Sequence, residues 1–388
     1  MQFKPIEQSF AVNFNYSLHF TNEVFGSSNS LFAEIIKSYK PNNQVKLLFV
    51  IDDGVLRNHS YLLENIKSYC LNYSKQLIFT ESLLIPGGEA AKNNYDNVNS
   101  IIGAIDKNAI CRHSFIVVIG GGAVIDMAGY AASITHRGVK LIRIPTTVLS
   151  QNDAAIGVKN GINAHGKKNF IGTFATPYAV INDQKFLTTL EQRDWIAGVA
   201  EAIKVALIKD KSFFTEIKKN AVLLKERNME AMLHSIYRCA EMHMDHIAQN
   251  GDPFENGSSR PLDFGHWSAH KLEQMSNYTM RHGEAVAKGM AIDLTYACIL
   301  EYISSDVLDE ILGVLINIGF DLSIPVSGNK EMNELLNGIE EFREHLGGEL
   351  TITMINEIGQ KFDIHEINLE LMTDAINSLN KKFKINAA

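Results

Sequence analysis

The sequence has little cysteine and no long apolar run. Its four cysteines, Cys70, Cys111, Cys239 and Cys298, are scattered without a C-x-x-C pair, which argues against a disulfide framework and a thiolate metal site. The apolar runs fall short of the ~20 residues that a membrane-spanning helix needs. The N-terminus lacks the apolar core of a signal peptide, so we expect a soluble, cytoplasmic protein.

Positive charge is also in deficit. The chain has 36 Lys and Arg residues against 44 Asp and Glu residues, a formal net charge of −8. This balance argues against a broad electrostatic attraction to nucleic acid or to an anionic membrane, but it leaves room for a local basic pocket that binds a small anion. The 388 residues suggest two domains, since one domain has roughly 100–200 residues.

The first 150 residues alternate between apolar strand patterns and helical spacing. Strands are predicted at 45–51, 76–84, 114–119 and 140–144, and helices at 56–73, 92–106 and 123–134. Such alternation favours a parallel sheet with helices on both faces.

Beyond about residue 184 the pattern becomes mostly helical. Long stretches at 192–210, 229–248 and 284–303 carry apolar residues three or four apart, which is typical of helices. The segment 145–177 between the halves is rich in Gly and Asn and is predicted to be irregular. We therefore predict an α/β domain over 1–183, which includes this loop, and a mostly helical domain over 184–388, with a site in the cleft between them.

A glycine-rich turn is the first motif that could carry chemistry. The three glycines 120–122 follow a predicted strand and open a helix that contains Asp126, so backbone N–H groups there could contact a pyrophosphate. Ile125 replaces the third glycine of the G-x-G-x-x-G spacing, and a tight strand-to-helix turn is the alternative. Upstream, Glu89 and Lys92 follow a Gly-Gly turn and could hold ribose hydroxyls or cap a helix.

Histidines are concentrated in the second half. Six of the 13 fall within 49 residues: His234, His243, His246, His266, His270 and His282. His266 and His270 would share one helix face, and imidazole with carboxylate suits a zinc-type ion. The carboxylate could be Glu201, three residues before Lys204. Surface histidines and a solvated ion pair are the alternatives.

The loop between the halves contains the third motif. Asp153, Lys159, Lys167, Lys168 and Asn169 lie there among several amides. Lysines and amides together suit a phosphorylated, hydroxyl-rich ligand. A polar surface loop is the alternative.

The motifs occur in an order that resembles the dehydroquinate synthase superfamily, the sugar phosphate cyclases. The matching features are GGE-x-x-K near residue 90, GGG-x-x-x-D at 120, PTT at 145, D-x-x-x-G-x-K-x-GIN at 153, GKKN at 166, GxAExIK at 198, FGHWxxH at 264 and HGEAVAxGM at 282. The resemblance covers roughly residues 45–360 and implies a Rossmann-like NAD-binding sheet followed by a helical metal-binding domain.

The resemblance also implies roles for individual residues. The NAD site would be lined by Asp52, Glu89, Lys92, Gly121, Gly122, Asp126, Thr146, Thr147 and Lys168. A catalytic Zn²⁺ or Co²⁺ would be held by Glu201, His266 and His282. The substrate phosphate and reacting carbons would meet Lys159, Lys168, Asn169 and His270, with Lys204 also catalytic and Asp153 near the hydroxyls. Arg137 would reach the phosphate from a neighbouring subunit, which implies a homodimer.

Enzymes of this kind are carbon–oxygen lyases that act on phosphates. NAD⁺ oxidises a metal-bound hydroxyl, whose pKa the metal lowers, and the new ketone allows phosphate to leave by β-elimination. NADH then returns the hydride, the ring opens, and an intramolecular aldol reaction closes a carbocycle. The cofactor is regenerated in each turnover.

Several positions depart from the dehydroquinate synthase pattern. His243 and Asp263 stand where a lysine and an asparagine serve the substrate carboxylate end. Arg260 lies near the place of the third such residue, an arginine, and a late Lys-Lys element is replaced by 342–345, which includes Arg343 and His345. No role follows for His246, Arg343 or His345.

These departures bear on the substrate. Asp263 and the loop before it resemble 2-epi-5-epi-valiolone synthases, which use sedoheptulose 7-phosphate, a sugar without a carboxylate; His270 is the dehydroquinate synthase residue. We favour a C7-cyclitol synthase over 3-dehydroquinate synthase, which acts on 3-deoxy-D-arabino-heptulosonate 7-phosphate. A metal-dependent alcohol or glycerol dehydrogenase and a non-catalytic ligand-binding protein are the remote alternatives.

Overall fold

A six-stranded parallel sheet forms the first half of the molecule. The computed structural model describes residues 3–249, 253–254 and 261–383. The strands of the sheet are β1 (Ser17–Thr21), β2 (Val45–Asp52), β3 (Leu77–Ile85), β4 (Phe115–Gly120), β5 (Lys140–Pro145) and β8 (Ala179–Asp183). They lie side by side in the order β1-β8-β5-β4-β2-β3.

The central strands are buried along their whole length. Every residue of β4 is buried, as are all residues of β2 except Lys46, because helices cover both faces of the sheet. The covering helices are α1 (Leu31–Tyr39), α2 (Asp53–Asn58), α3 (Leu62–Asn72), α4 (Tyr95–Lys107) and α5 (Gly122–Ile134). The predicted α/β class is confirmed, and the predicted strands end within a residue or two of those observed.

Two of the helices predicted in the first half are divided. The stretch 56–73 is α2 and α3, and α2 begins earlier because the Asp52 carboxylate accepts a hydrogen bond from Gly54 N at 2.8 Å. The stretch 92–106 is a 3₁₀ turn (Glu89–Asn93) followed by α4. Asn94 caps α4 through its own side chain, so the interpretation of Glu89 and Lys92 as a helix cap is wrong.

The segment 145–177 is more regular than predicted. A π-helical turn (Ser150–Ala154) leads into an antiparallel hairpin of β6 (Lys159–Ala164) and β7 (Lys167–Phe174). His165 and Gly166 form its turn at φ 52° and 72°. The expectation of an irregular loop was wrong because Lys, Asn and Gly make up much of both strands and the few apolar residues do not alternate regularly with polar ones.

The second half is mostly helical, as predicted. Its helices are α6 (Gln192–Ala197), α7 (Val199–Lys209), α8 (Lys211–Lys225), α9 (Met229–Gln249), α10 (His266–Met275), α11 (His282–Ile299), α12 (Ser305–Ile318), α13 (Asn329–His345) and α14 (Leu369–Phe383). The predicted helix 192–210 is thus α6 and α7. A hairpin of β9 (Ile352–Glu357) and β10 (Gln360–Ile364) was not predicted, and Gly359 N in its turn donates to Leu207 O of α7 at 2.7 Å.

Three apolar cores hold these layers. One core lies on each face of the sheet, and the third and largest joins the helices of the second half around Trp195, Trp267 and Phe213. The domain boundary after residue 183 stays a prediction; β8 ends at that residue. Within the described ranges, no helix is long and apolar enough to cross a membrane.

Candidate metal and cofactor site

The carboxyl ends of the central strands carry the predicted cofactor residues. Asp52 ends β2, Gly121 follows β4, and Thr146 and Thr147 follow β5. Adjacent parallel strands place these residues along one edge, which is where open α/β sheets bind ligands.

Glu201, His266 and His282 converge from three helices. Glu201 lies in α7, and the histidines are the first residues of α10 and α11. Glu201 Oε1 is 3.8 Å from His266 Nε2 and 3.5 Å from His282 Nε2, and one ligand atom from each residue lies within 4.8 Å of the others. The Glu201 side chain is fully buried, and its Oε1 has no hydrogen-bond partner among the described residues. A divalent ion would satisfy this oxygen.

A hydrogen bond at Nδ1 orients the imidazole ring of both histidines. His266 Nδ1 hydrogen-bonds the carbonyl oxygen of Phe264 at 3.1 Å, and His282 Nδ1 hydrogen-bonds Oε2 of Glu273 at 3.0 Å. An N–H fixed at Nδ1 leaves the lone pair of Nε2 free for a metal. Donor types and orientation therefore fit a zinc-type ion.

Close backbone contacts bring the ligands together. A Cβ on Gly283, next to His282, would lie 1.8 Å from the carbonyl oxygen of Ala197 at the end of α6. A Cβ on Gly289 would lie 2.0 Å from the carbonyl oxygen of Gly265, which precedes His266. Only glycine allows helices to approach this closely.

The sequence analysis missed Glu273. Besides His282, its carboxylate accepts from Lys168 Nζ at 2.9 and 3.0 Å. Its side chain is 5% exposed. Burial would raise the pKa of Glu273, but the His282 imidazole, which hydrogen-bonds the carboxylate, and the charge of Lys168 hold it well below its usual range. Its place three residues after His270 and seven after His266, on one helix face, was the available signal.

A second group of charged side chains lies beside the metal group. Lys204 forms a buried ion pair with Glu201, and His243 Nδ1 is 3.1 Å from Asp153 Oδ1. Burial would raise the pKa of Asp153, but His243 and Lys204 hold it well below its usual range. Burial would also raise the pKa of Asp263, but the charges of Lys159 and Lys204 outweigh it and lower this pKa. The solvated-pair alternative for Glu201 and Lys204 is wrong, since both are buried.

The cofactor motif contacts the β6–β7 hairpin. Lys92 Nζ lies 2.8 Å from Asp126 Oδ2 and donates to Asn169 Oδ1. Asn163 Nδ2 donates to Glu89 Oε1 at 2.9 Å. The predicted cofactor and substrate residues are thereby joined in one network.

The start of α5 fits a diphosphate. The helix begins at Gly122, and Gly121 before it has no side chain that could cap the first N–H groups. The first N–H groups of a helix have no acceptor within it, and its dipole is positive there. Nearby, a Cβ on Gly87 would lie 2.5 Å from Asp52 Oδ1, so the backbone of this glycine packs directly against the carboxylate at the end of β2. These groups suit the diphosphate and a ribose of NAD.

Other predicted residues lie apart from this cluster or beyond the described part. Arg137 is exposed in the turn after α5, His234 is an exposed residue of α9, and Arg343 pairs with Glu340 at 3.2 Å. Burial and nearby cationic side chains lower the pKa of His246 to about 4. Arg260 lies outside the described residues.

Comparisons with known proteins agree with this arrangement. Residues 82–197 match the 3-dehydroquinate synthase N-terminal family and residues 198–341 match the 3-dehydroquinate synthase C-terminal family. A 3-dehydroquinate synthase from Halorhodospira halophila is 30% identical over 337 residues, 84% of this chain and 93% of the relative.

Solved structures share the fold. A 2-epi-5-epi-valiolone synthase from Streptomyces hygroscopicus, with NAD⁺ and Zn²⁺ bound, has a TM-score of 0.86 at 24% identity, covering 97% of this chain and 100% of that one. A 2-deoxy-scyllo-inosose synthase, complexed with carbaglucose-6-phosphate, NAD⁺ and Co²⁺, has a TM-score of 0.75 at 22% identity, covering 93% and 96%.

Proposed function

This chain belongs to the dehydroquinate synthase family of sugar phosphate cyclases, and we propose that its substrate is sedoheptulose 7-phosphate. The enzyme would act as a carbon–oxygen lyase and release a C7 cyclitol and inorganic phosphate. Oxidation and reduction cancel within one turnover, so no net NADH forms.

The described residues suit the two cofactors of such a reaction. Glu201, His266 and His282 would hold Zn²⁺ or Co²⁺, and the start of α5 would hold the diphosphate of NAD. When bound, the ion supplies a Lewis acid and NAD supplies a reversible hydride acceptor. The neighbours solved with NAD⁺ and Zn²⁺ or Co²⁺ support this assignment.

Protons and phosphate would be handled by the chain's own side chains. Burial, with the charge of Lys168, holds the pKa of His270 well below its ordinary value, so its imidazole is neutral and able to accept a proton at a ring nitrogen. The charge of Glu273 outweighs burial and raises the pKa of Lys168. Lys168 therefore stays cationic and could stabilise the departing phosphate.

The observation that carries the substrate proposal is the balance of charge in the site. Lys204 is paired with Glu201, His243 with Asp153, and Lys168 with Glu273. Asp263 adds a further carboxylate whose pKa is lowered by surrounding cations. A substrate carboxylate at this end would face the negative charge of Asp263, whereas hydroxyl groups can donate hydrogen bonds to the carboxylates of Asp263 and Asp153.

The test compares two substrates by phosphate release. We expect a higher kcat/KM for sedoheptulose 7-phosphate than for 3-deoxy-D-arabino-heptulosonate 7-phosphate. Asp263→Asn should shift the ratio toward the heptulosonate by at least about tenfold, the equivalent of 1.36 kcal/mol. Asp309→Asn, at an exposed residue paired with Lys382, is the matched control and should leave the ratio unchanged. Stoichiometric NADH in place of phosphate would indicate a dehydrogenase.

The second candidate is 3-dehydroquinate synthase itself. It is favoured by the name of the Halorhodospira relative. A clear preference for the heptulosonate would establish this function and contradict our proposal. An unchanged ratio in Asp263→Asn would show that Asp263 does not face the discriminating end of the ligand.

A further inference from the structure

A buried arginine holds the segment that leads into the β6–β7 hairpin. Arg143, in β5, is fully buried. Its Nη1 donates to the carbonyl oxygens of Ala155 at 2.9 Å and Gly157 at 2.5 Å. Its Nη2 donates to the carbonyl oxygen of Lys159 at 3.4 Å and to Oδ1 of Asn160 at 2.7 Å.

The remaining carbonyl oxygens of this segment are held as well. The hydroxyl of Tyr16 donates to Ile156 O at 2.9 Å. Val158 O accepts from the backbone N–H of Ala175 at 2.9 Å and from Asn160 Nδ2 at 3.3 Å. Each carbonyl oxygen from 155 to 159 therefore has a donor outside the segment or in Asn160.

Asn160 is itself fixed from the opposite side. Its Nδ2 also donates to Ala175 O at 3.1 Å, and a Cβ on Gly129 of α5 would lie 1.9 Å from its Oδ1. The acceptor that Arg143 uses thus occupies the space that a side chain at position 129 would fill, and the guanidinium lies between β5 and the hairpin.

The charge of Arg143 is costly where it stands. Burial lowers its pKa to about 10, so it remains cationic at neutral pH. No carboxylate among the described residues forms an ion pair with it at hydrogen-bond distance, and its Nε has no hydrogen-bond partner. A well-packed apolar side chain would often be at least as stable in such a place. Five N–H donors in a rigid fork, however, can bind several carbonyl oxygens at once.

We infer that Arg143 is a positioning residue, with Tyr16 as its accessory, that fixes the segment between Asp153 and Lys159. Asp153, which pairs with His243, precedes this segment, and Lys159, the first residue of β6, follows it. The inference rests on the proposed function in one respect, that these two side chains meet the substrate. Misplacement by about 1 Å can cost about a hundredfold in rate.

Arg143→Gln and Arg143→Lys test the inference by hydrogen exchange and kinetics. In Arg143→Gln, amide exchange over 153–160 should accelerate at least tenfold, while exchange in β4 stays as in the wild type. Turnover should fall about 10- to 100-fold, with a smaller change in the NAD KM and in the Zn²⁺ affinity. Arg143→Lys should reverse part of the faster exchange and part of the lower turnover. Lysine keeps the positive charge but lacks the planar set of N–H donors of the guanidinium.

Tyr16→Phe keeps the inference testable if the Arg143 variants fail to fold. It should accelerate exchange of the same segment by a smaller factor and lower turnover several-fold. Tyr39→Phe, which removes a hydroxyl bonded to His113 at the other side of the sheet, is the control and should change neither. Wild-type exchange over 153–160 in a folded variant, or faster exchange with unchanged turnover, would overturn the inference. A wild-type enzyme inactive on both sugar phosphates would overturn the proposed function instead, and the exchange measurement would still decide the role of Arg143.

Discussion

At the scale of single residues, the described ranges contain two overlapping groups of side chains that could hold a metal ion. Glu201, His266 and His282 form one, and His270, Glu273 and His282 form the other. Glu273 already accepts hydrogen bonds from His282 and Lys168, whereas Oε1 of Glu201 has no hydrogen-bond partner in the part of the chain that the structure describes. The first group is therefore the better metal site.

This difference predicts opposite outcomes for two alanine variants. His266→Ala should lose stoichiometric zinc, because it removes a ligand. His270→Ala should keep zinc and lose at least about tenfold in turnover, because it removes only a proton acceptor. Metal content after dialysis and phosphate release measure the two effects. Retained zinc and full activity in His266→Ala would contradict the assignment and direct attention to His243 and His246.

Asp293 predicts a dependence of stability on pH. It is fully buried in α11 and accepts from Trp267 Nε1 at 2.8 Å and Gly265 N at 3.1 Å. Burial raises its pKa to about 7 despite these two donors. Between about pH 4, where an unfolded Asp titrates, and pH 7, the folded state keeps a proton that the unfolded chain has released. Its contribution to stability therefore falls as the pH rises through this window.

Asp293→Asn tests this sign. The Asn amide has one hydrogen-bond acceptor fewer than the carboxylate at every pH. The informative quantity is therefore how the difference in free energy of unfolding changes with pH. The free energy of unfolding of the wild type, relative to the variant, should fall by up to about 4 kcal/mol between pH 4 and pH 8, at 1.36 kcal/mol per unit of pKa shift. Urea titrations across this range measure it. A difference that stays constant with pH would show that Asp293 is ionised throughout.

At the scale of elements, the contact between α6 and α11 sets the position of His282. Gly283→Ala would place a Cβ 1.8 Å from the carbonyl oxygen of Ala197, so α11 must move. We expect a loss of about 1–3 kcal/mol in stability, typical of overpacking, together with weaker zinc binding. Gly313→Ala is the matched control, since nothing lies within 4 Å of its Cβ in α12. It should stabilise the protein slightly. Equal behaviour of the two variants would contradict this account.

The elements also show what could be predicted from the sequence. The buried strands β2 and β4 were predictable because continuous apolar runs have few alternatives. The β6–β7 hairpin was not, because its strands are held by backbone pairing and by close glycines such as Gly161, whose Cβ would lie 2.9 Å from Ile171 O. The site shows the same contrast. His266 and His282 stand in motifs, whereas Arg143 binds carbonyl oxygens, which leave no pattern in side-chain spacing.

At the scale of the whole molecule, the turn after α5 bears on assembly. His136, Arg137 and Gly138 all have positive φ, at 53°, 61° and 115°. Left-handed conformation in two successive non-glycine residues is uncommon and costs energy. The turn leaves the Arg137 side chain exposed, as a residue that reaches into a second copy would be. We propose on this basis, and on the family resemblance, that the enzyme is a homodimer.

Mixing two inactive variants tests the dimer. Arg137→Ala and Lys159→Ala should each lose activity, and exchange of subunits should restore up to about a quarter of it, because a hybrid can contain one intact site. Mass determination of the hybrid confirms that exchange occurred. A hybrid that forms and stays inactive would place the action of Arg137 within its own subunit.

The pairing of β1 with β8 determines when the parallel sheet can be assembled during synthesis of the chain. Ser17 pairs with Ala179, and these two strands are the first and last of the parallel sheet along the chain. At roughly 5–20 residues per second, a ribosome needs on the order of 10 to 30 s to travel between them. During that time β1 lacks the one strand that pairs with it in the described part of the chain, and Tyr16 beside it is not yet held next to Ile156 O by the sheet. The hydrogen bond from Tyr16 is therefore the late part of the support for the segment between Asp153 and Lys159, whereas the bonds from Arg143 need only β5 and the segment itself.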